Sequence, residues 1–271
     1  MEQEKEIRKV PVNGVELAYR FDGPEDGPVV MMSNSLMSDH RMWDTTVPAL
    51  ADRYRVLRYD TRGHGRSGLT SGPYSIAMLA DDAVGLLDTL GIPRVHMVGL
   101  SMGGMIAQQM GARFGGRTLS LSLCDTASEM PPRSMWEERF AIARTQGMAG
   151  LVDAAIQRWF TPGYIAREPQ PIEKVRRMIL ATPVEGFIAC GSAVRDMAQT
   201  TMLLQVKAPT LIIVGRHDPG CTVEQATVIH RMIDGSEMIV LEDAAHLSNI
   251  EQAQAFNSAL RGFIDRIDDA L

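Results

Sequence analysis

VHMVGLSMGGMIAQQM (95–110) decides the fold. Its first six residues form an apolar run of strand length, and the residues from Gly104 onward have helical spacing. Between them stands Gly99-Leu100-Ser101-Met102-Gly103, of the form G-x-S-x-G. A turn this sharp from strand to helix forces the serine into strained backbone, and the positions two residues to either side must be small because a Cβ there would strike neighbouring backbone. The turn lifts the hydroxyl out of the sheet edge. The helix behind it aims N–H groups and the positive end of its dipole at the same spot, which suits an oxyanion. The plainer reading is a glycine-rich turn that only packs helix on strand. The strand before, the helix after and suitable partners downstream favour a nucleophile at Ser101.

Outward from this turn the same rhythm repeats. VVMMS (29–33), YRVLRYD (54–60), LSLSLCD (119–125), TLIIVG (210–215) and MIVLED (238–243) are short apolar runs, and segments such as SIAMLADDAVGLLDTLG (75–91) between them have helical periodicity. Alternation of this kind predicts an α/β fold with crossover connections and a mostly parallel, eight-stranded sheet covered by helices on both faces. IRKVPV and VELAYRF flank Asn13-Gly14, so the chain opens with an antiparallel hairpin. The rhythm breaks between 128 and 206, where no strand-like run occurs and Pro131, Pro132, Pro162, Pro169, Pro171 and Pro183 divide the chain into short helices. The expected organisation is an α/β-hydrolase core of 1–127 and 207–271 with a helical cap, or lid, at 128–206.

A serine hydroxyl needs a base. His246 follows the last strand through Ala244-Ala245 and reaches the edge where the turn lies, whereas His40, His64, His96, His217 and His230 each read as structural. Asp218, just after TLIIVG, is the expected acid that orients the imidazole; Asp125, at the end of LSLCD, is its rival. The order serine, acid, histidine is the one this architecture requires. Oxyanion donors are expected from the backbone N–H groups of Met102 and Leu36, the latter in the loop after VVMMS.

The 271 residues, 45% apolar and 22% charged, suit one catalytic domain with a modest insertion. A net charge of −6 with no basic stretch opposes nucleic-acid binding. No apolar run is long enough for a bilayer, and MEQEKEIRKVPVNG lacks the order of a secretory signal. Cys124, Cys190 and Cys221 form no CxxC pair, so a reducing, cytoplasmic setting is expected. GHGRSG (63–68) matches G-x-G-x-x-G but has LTSGPY before any helix, which argues against a dinucleotide loop. No metal-ligand spacing is present, so neither metal nor cofactor is expected. A homo-oligomer stays open.

Several longer strings are similar to those of one known family, the 3-oxoadipate enol-lactonases of aromatic catabolism, which are α/β-hydrolases. They are SNSL (33–36), MW (42–43), LRYDTRGHGRS (57–67), GPYSI (72–76), GLSMGGM (99–105), RWFTP (158–162), RDM (195–197) and AAHLSNIEQ (244–252). The resemblance implies a triad of Ser101, Asp218 and His246, an oxyanion hole of the Leu36 and Met102 N–H groups, and hydrolysis of a small ester or lactone without a cofactor. This chain has Met37 where the family commonly has glycine and Asp125 where it often has asparagine. Met37, Trp136 and Trp159 are expected to wall the substrate pocket. An enol-lactone carries a carboxylate, for which Arg133, Arg139 or Arg195 of the cap would supply a cation; each alone also reads as a solvated surface charge. The alternatives are a carboxylesterase for small or bulky acyl groups, a cofactor-free perhydrolase or haloperoxidase using the same triad, and a ligand-sensing protein on this scaffold.

Overall fold

Asn13 and Gly14 take φ of 46° and 77°, the left-handed pair a two-residue turn needs, and they join β1 (Arg8–Val12) to β2 (Val15–Asp22) as an antiparallel ribbon. The structure, a computed structural model, describes residues 6–130 and 132–270. Pro131 and the first five residues of the charged N-terminal stretch therefore lie outside the described residues.

After the hairpin come β3 (Val29–Ser33), β4 (Arg55–Tyr59), α1 (Ile76–Thr89), β5 (Val95–Leu100), α2 (Met102–Arg113) and β6 (Thr118–Cys124). Ser75 caps α1, its side chain accepting from the Met78 N–H. A run of helices follows: α3 (Arg133–Gln146), α4 (Ala149–Trp159), α5 (Pro162–Arg167), α6 (Pro169–Ala181) and α7 (Val184–Asp196). The chain then returns to β7 (Thr210–Gly215), α8 (Val223–Met232), β8 (Glu237–Leu241), α9 (Ser248–Glu251) and α10 (Ala253–Asp268). The strands form one eight-stranded sheet in the order β1-β2-β4-β3-β5-β6-β7-β8, parallel from β4 to β8. Every residue of β5 is buried. α2 packs on β5 and β6 while α10 packs on β6, β7 and β8, so helices cover both faces.

Register positions the site. Ser33 pairs with Gly99, Leu100 with Cys124, Cys124 with Ile213 and Gly215 with Leu241, so the loops leaving β3, β5, β6, β7 and β8 gather at one edge of the sheet. The helices between β6 and β7 occupy the stretch without strands, and a β-bridge from Glu129 to Ala198 joins its two ends. Pro162 and Pro169 begin α5 and α6, where a missing N–H costs nothing, and Pro183 stands just before α7. Among the described residues no single helix is long and apolar enough to cross a membrane.

Candidate active site

Ser101 sits between β5 and α2 at φ 57°, ψ −116°, a backbone state that costs an L-residue of order 1–3 kcal/mol. It is held there from the neighbouring strand: the Ser101 N–H donates to the Cys124 carbonyl at 2.9 Å, and Thr126 Oγ1 donates to the Ser101 carbonyl at 2.7 Å. A Cβ at Gly99 would lie 2.1 Å from the Gly103 oxygen, and one at Gly103 would lie 2.0 Å from the Ser33 oxygen. The two glycines of G-x-S-x-G are thus demanded by backbone-to-backbone contact.

His246 Nδ1 lies 2.6 Å from Asp218 Oδ2. The other carboxylate oxygen, Oδ1, accepts the Gly220 N–H at 2.8 Å and the Cys221 N–H at 2.9 Å, so the carboxylate is held on both sides. Burial pulls the imidazole pKa down, but the charge and hydrogen bond of Asp218, helped by Asp125, outweigh it and leave His246 above its ordinary value. Asp125, the rival acid, turns elsewhere: Oδ1 accepts the Gly215 N–H at 2.8 Å and Oδ2 meets the Ser248 hydroxyl. Burial and the nearby Asp218 charge push its carboxyl up to about 8. Ser101 and His246 share the wall of one cavity of about 290 Å³. Among the described residues the Ser101 hydroxyl makes no hydrogen bond.

The loop after β3 is braced from below. Asn34 Nδ2 donates to the Tyr59 carbonyl at 2.8 Å and its Oδ1 accepts Trp43 Nε1–H at 2.9 Å, which ties SNSL to the MW string. Met37 takes φ 63°, where glycine is at home, and its N–H donates to His64 Nε2 at 3.0 Å. Burial drives the His64 pKa down to about 4, so the ring is neutral and offers that lone pair. Among the described residues the Leu36 N–H has no hydrogen-bond partner, and Met102 N–H belongs to the first turn of α2, where no intrahelical acceptor exists. GHGRS therefore serves this loop and α7: a Cβ on Gly186 of α7 would lie 2.1 Å from the Gly63 oxygen, and Gly65 packs against the Asp60 carboxylate.

Of the expected pocket residues, Met37, Trp136 and Trp159 line the cavity. Arg133 and Arg195 do not. Both are engaged with Asp196, and Arg195 also with Glu137, in an ion-pair cluster on α3 and α7. The arginines on the cavity wall are Arg139 and Arg158, both half-buried and neither with a hydrogen bond or ion pair to another described residue. Arg139 Nε is shut from solvent without an acceptor, and the ring of Trp136 lies 4.6 Å from the guanidinium. Burial presses the pKa of both downward, and for Arg139 the charge of Arg158 adds to it. Sequence reasoning passed over Arg158 and Glu251, while His64, expected to be structural, braces the Met37 N–H. Glu251 accepts the Ala245 N–H at 2.9 Å and the Thr161 N–H at 3.0 Å, clamping the histidine loop to the start of α5. The NIEQ string was its only signal.

A strained serine turn, a buried histidine–carboxylate pair and unpartnered backbone donors at the strand ends of a parallel sheet define a hydrolase of the α/β class. The pattern of the alpha/beta hydrolase family matches residues 30–259. The chain is 36% identical over 254 residues to 3-oxoadipate enol-lactonase 2 of Acinetobacter baylyi, covering 94% of this chain and 95% of that protein. It superposes on the crystal structure of the enol-lactonase from Burkholderia xenovorans with a TM-score of 0.93 at 40% identity, over 95% of this chain and 100% of the other. A thermophilic esterase from Thermogutta terrifontis, solved with malate bound, matches with a TM-score of 0.90 at 29% identity, over 97% and 99%. The chain belongs to the alpha/beta hydrolase family and, within it, to the family of the 3-oxoadipate enol-lactonases. It is a carboxylic ester hydrolase, acting on an ester or lactone.

Proposed function

We propose that Ser101, His246 and Asp218 act as a catalytic triad and that the substrate is the enol-lactone of 3-oxoadipate. His246 takes the serine proton as Oγ attacks the lactone carbonyl, and the oxyanion is received by the Leu36 and Met102 N–H groups. Collapse of the tetrahedral adduct breaks the ring C–O bond and His246 returns the proton to the enol oxygen, leaving an acyl-serine. Water activated by His246 then releases the acid, and the enol becomes the ketone.

The observation that carries the choice of substrate is the pair of guanidiniums, Arg139 and Arg158, standing without a carboxylate on the wall of the Ser101 cavity. Closing 3-oxoadipate into its enol-lactone consumes one carboxyl and leaves one free, and that anion is what the two arginines lack. On this reading the helices of 128–206 form a lid whose inner face, with Trp136 and Trp159, shields the acyl-enzyme from bulk water. The three cysteines, all free and buried, accord with a cytoplasmic setting.

A second reading, a carboxylesterase for apolar acyl groups, is favoured by the methionines on the same wall, Met37, Met105, Met130 and Met135. Kinetics with 3-oxoadipate enol-lactone and p-nitrophenyl acetate side by side decide. The lactone should be the better substrate in kcat/KM; fast ester turnover with negligible lactone turnover refutes the first reading.

A further inference from the structure

The Asp218-Pro219-Gly220-Cys221 loop folds back on its own carboxylate, with Asp218 Oδ1 accepting the N–H groups of Gly220 and Cys221. This brings the Cys221 side chain to the acid it follows. One ligand atom from each of Asp218, Cys221 and His246, an oxygen, a sulfur and a nitrogen, lies within 4.8 Å of the others. Cys221 is 1% exposed and borders the Ser101 cavity, so a small cation reaches it by the substrate's route. Among the described residues its Sγ has no hydrogen-bond partner, whereas Cys190 Sγ donates to the Arg62 carbonyl at 3.4 Å.

A second cluster, Asp39, His40 and Asp60, has comparable spacing but is already satisfied: Asp39 holds Arg41, and Asp60 accepts from the His40 and Arg66 backbone. In the Cys221 cluster Asp218 is hydrogen-bonded as well, to Gly220, Cys221 and His246, but the Cys221 thiol has no partner among the described residues and is left to a cation.

We propose that Asp218, Cys221 and His246 form a three-ligand site for a soft divalent cation, Zn²⁺ or Cd²⁺, whose occupation switches the hydrolase off. Three protein ligands of this kind beside a cavity suit these ions, and the sulfur discriminates against Mg²⁺ and Ca²⁺. The cation replaces the thiol proton, releasing one H⁺, and takes an imidazole lone pair. If it binds Nδ1, the ring proton moves to Nε2; if it binds Nε2, that lone pair is used. Either way His246 no longer accepts the serine proton. The loss of activity rests on the triad reading, but the binding does not.

The test uses enzyme freed of metal with EDTA and assayed on p-nitrophenyl acetate. Zn²⁺ and Cd²⁺ should inhibit reversibly, Mg²⁺ and Ca²⁺ should not, and Cys221→Ala and Cys221→Ser should raise the half-inhibiting concentration roughly 10- to 100-fold, each variant measured against its own metal-free rate. Cd²⁺ titration should produce thiolate-to-cadmium absorption in the wild type and in Ser101→Ala, and none in Cys221→Ala. Cadmium NMR of the unaltered enzyme reads the ligand set without a substitution. An all-oxygen shift, inhibition unmoved by both cysteine variants, or absorption that survives Cys221→Ala overturns the site. Hydrolysis retained by Ser101→Ala instead overturns the triad and leaves the cadmium signal to report on the site alone.

Discussion

Arg139→Met should separate recognition of the substrate acid from catalysis. The guanidinium lies on the cavity wall without an ion pair among the described residues, and a substrate carboxylate that docks there forms a charge pair largely removed from water. Truncating one partner of such a pair costs about 2–5 kcal/mol. Arg158 remains on the same wall and keeps part of the attraction, so the lower end applies, about 2–3 kcal/mol, or roughly 30- to 150-fold in kcat/KM for the enol-lactone. p-Nitrophenyl acetate carries no carboxylate and should change by no more than about threefold. Stability should not follow activity. Methionine fills the same space, and it removes an Nε that is shut from solvent with no acceptor, a relief of about 1–3 kcal/mol. Against this stands the loss of the cation–π contacts with Trp136 at 4.6 Å and Phe187 at 5.6 Å, about 0.5–2 kcal/mol. The two terms largely offset, so the Tm should stay within about 2–4 °C of the wild type. Steady-state kinetics on the two substrates and thermal melting decide; equal losses on both, or a clear drop in Tm with the lactone rate intact, refute the argument.

Ser101→Ala should lower kcat by about 10⁶-fold with the fold unchanged by circular dichroism; turnover near the wild-type rate would remove Ser101 from the chemistry. Asp218→Asn should cost about 10⁴-fold in kcat, because the imidazole loses its charged partner, and Asp125→Asn less than about tenfold; the reverse ranking would move the acid to β6. Because Asp218 and Asp125 raise the His246 pKa and the base must be neutral, kcat/KM should rise with pH through a midpoint above about 6.5, and Asp218→Asn should shift that midpoint down. Asp125 is raised to about 8 in the folded chain, so the native state binds its proton more tightly than the unfolded one does, and stability falls as pH climbs from about 4 toward 8. Asp125→Asn keeps both hydrogen bonds without the charge, so its Tm advantage over the wild type should grow across that window; a constant difference counts against the coupling. His64→Phe leaves the Met37 N–H buried without an acceptor, a loss of about 1–3 kcal/mol of stability that a lowered Tm should show.

The parts of this molecule that sequence reveals are those where backbone geometry dictates residue type. Gly99 and Gly103 are legible because no other side chain fits, Asn13-Gly14 because the turn needs positive φ twice, and Pro162 and Pro169 because a helix tolerates proline at its first position. The ordering of Ser101, Asp218 and His246 is legible because parallel strands with crossovers send their trailing loops to one edge. Asp218 and Asp125 both satisfy that rule. What distinguishes them is the direction of a side chain after the strand ends, and a pattern of residue types does not carry that.

The arginines show where this kind of reading stops. Arg133 and Arg139 stand three residues to either side of Trp136, about 60° of helical phase away in opposite senses, so periodicity places both beside the tryptophan that faces the cavity. Their fates diverge through partners on another helix. Arg133 opens α3 within reach of Asp196 at the end of α7 and is neutralised there, while Arg139, one turn beyond Trp136, meets no acid and is left to the cavity. The partners of His64 and Glu251 escape for a related reason: each residue acts on a backbone N–H, of Met37 in one case and of Ala245 and Thr161 in the other, and a backbone partner leaves no mark on the residue type at its own position. On the proposed reading, substrate choice is carried by charges left unpaired after the helices between β6 and β7 have packed. Asp196→Ala should free Arg133 and leave Arg195 to Glu137, with no change at Arg139, and lactone turnover within about threefold of the wild type is the outcome this partition requires.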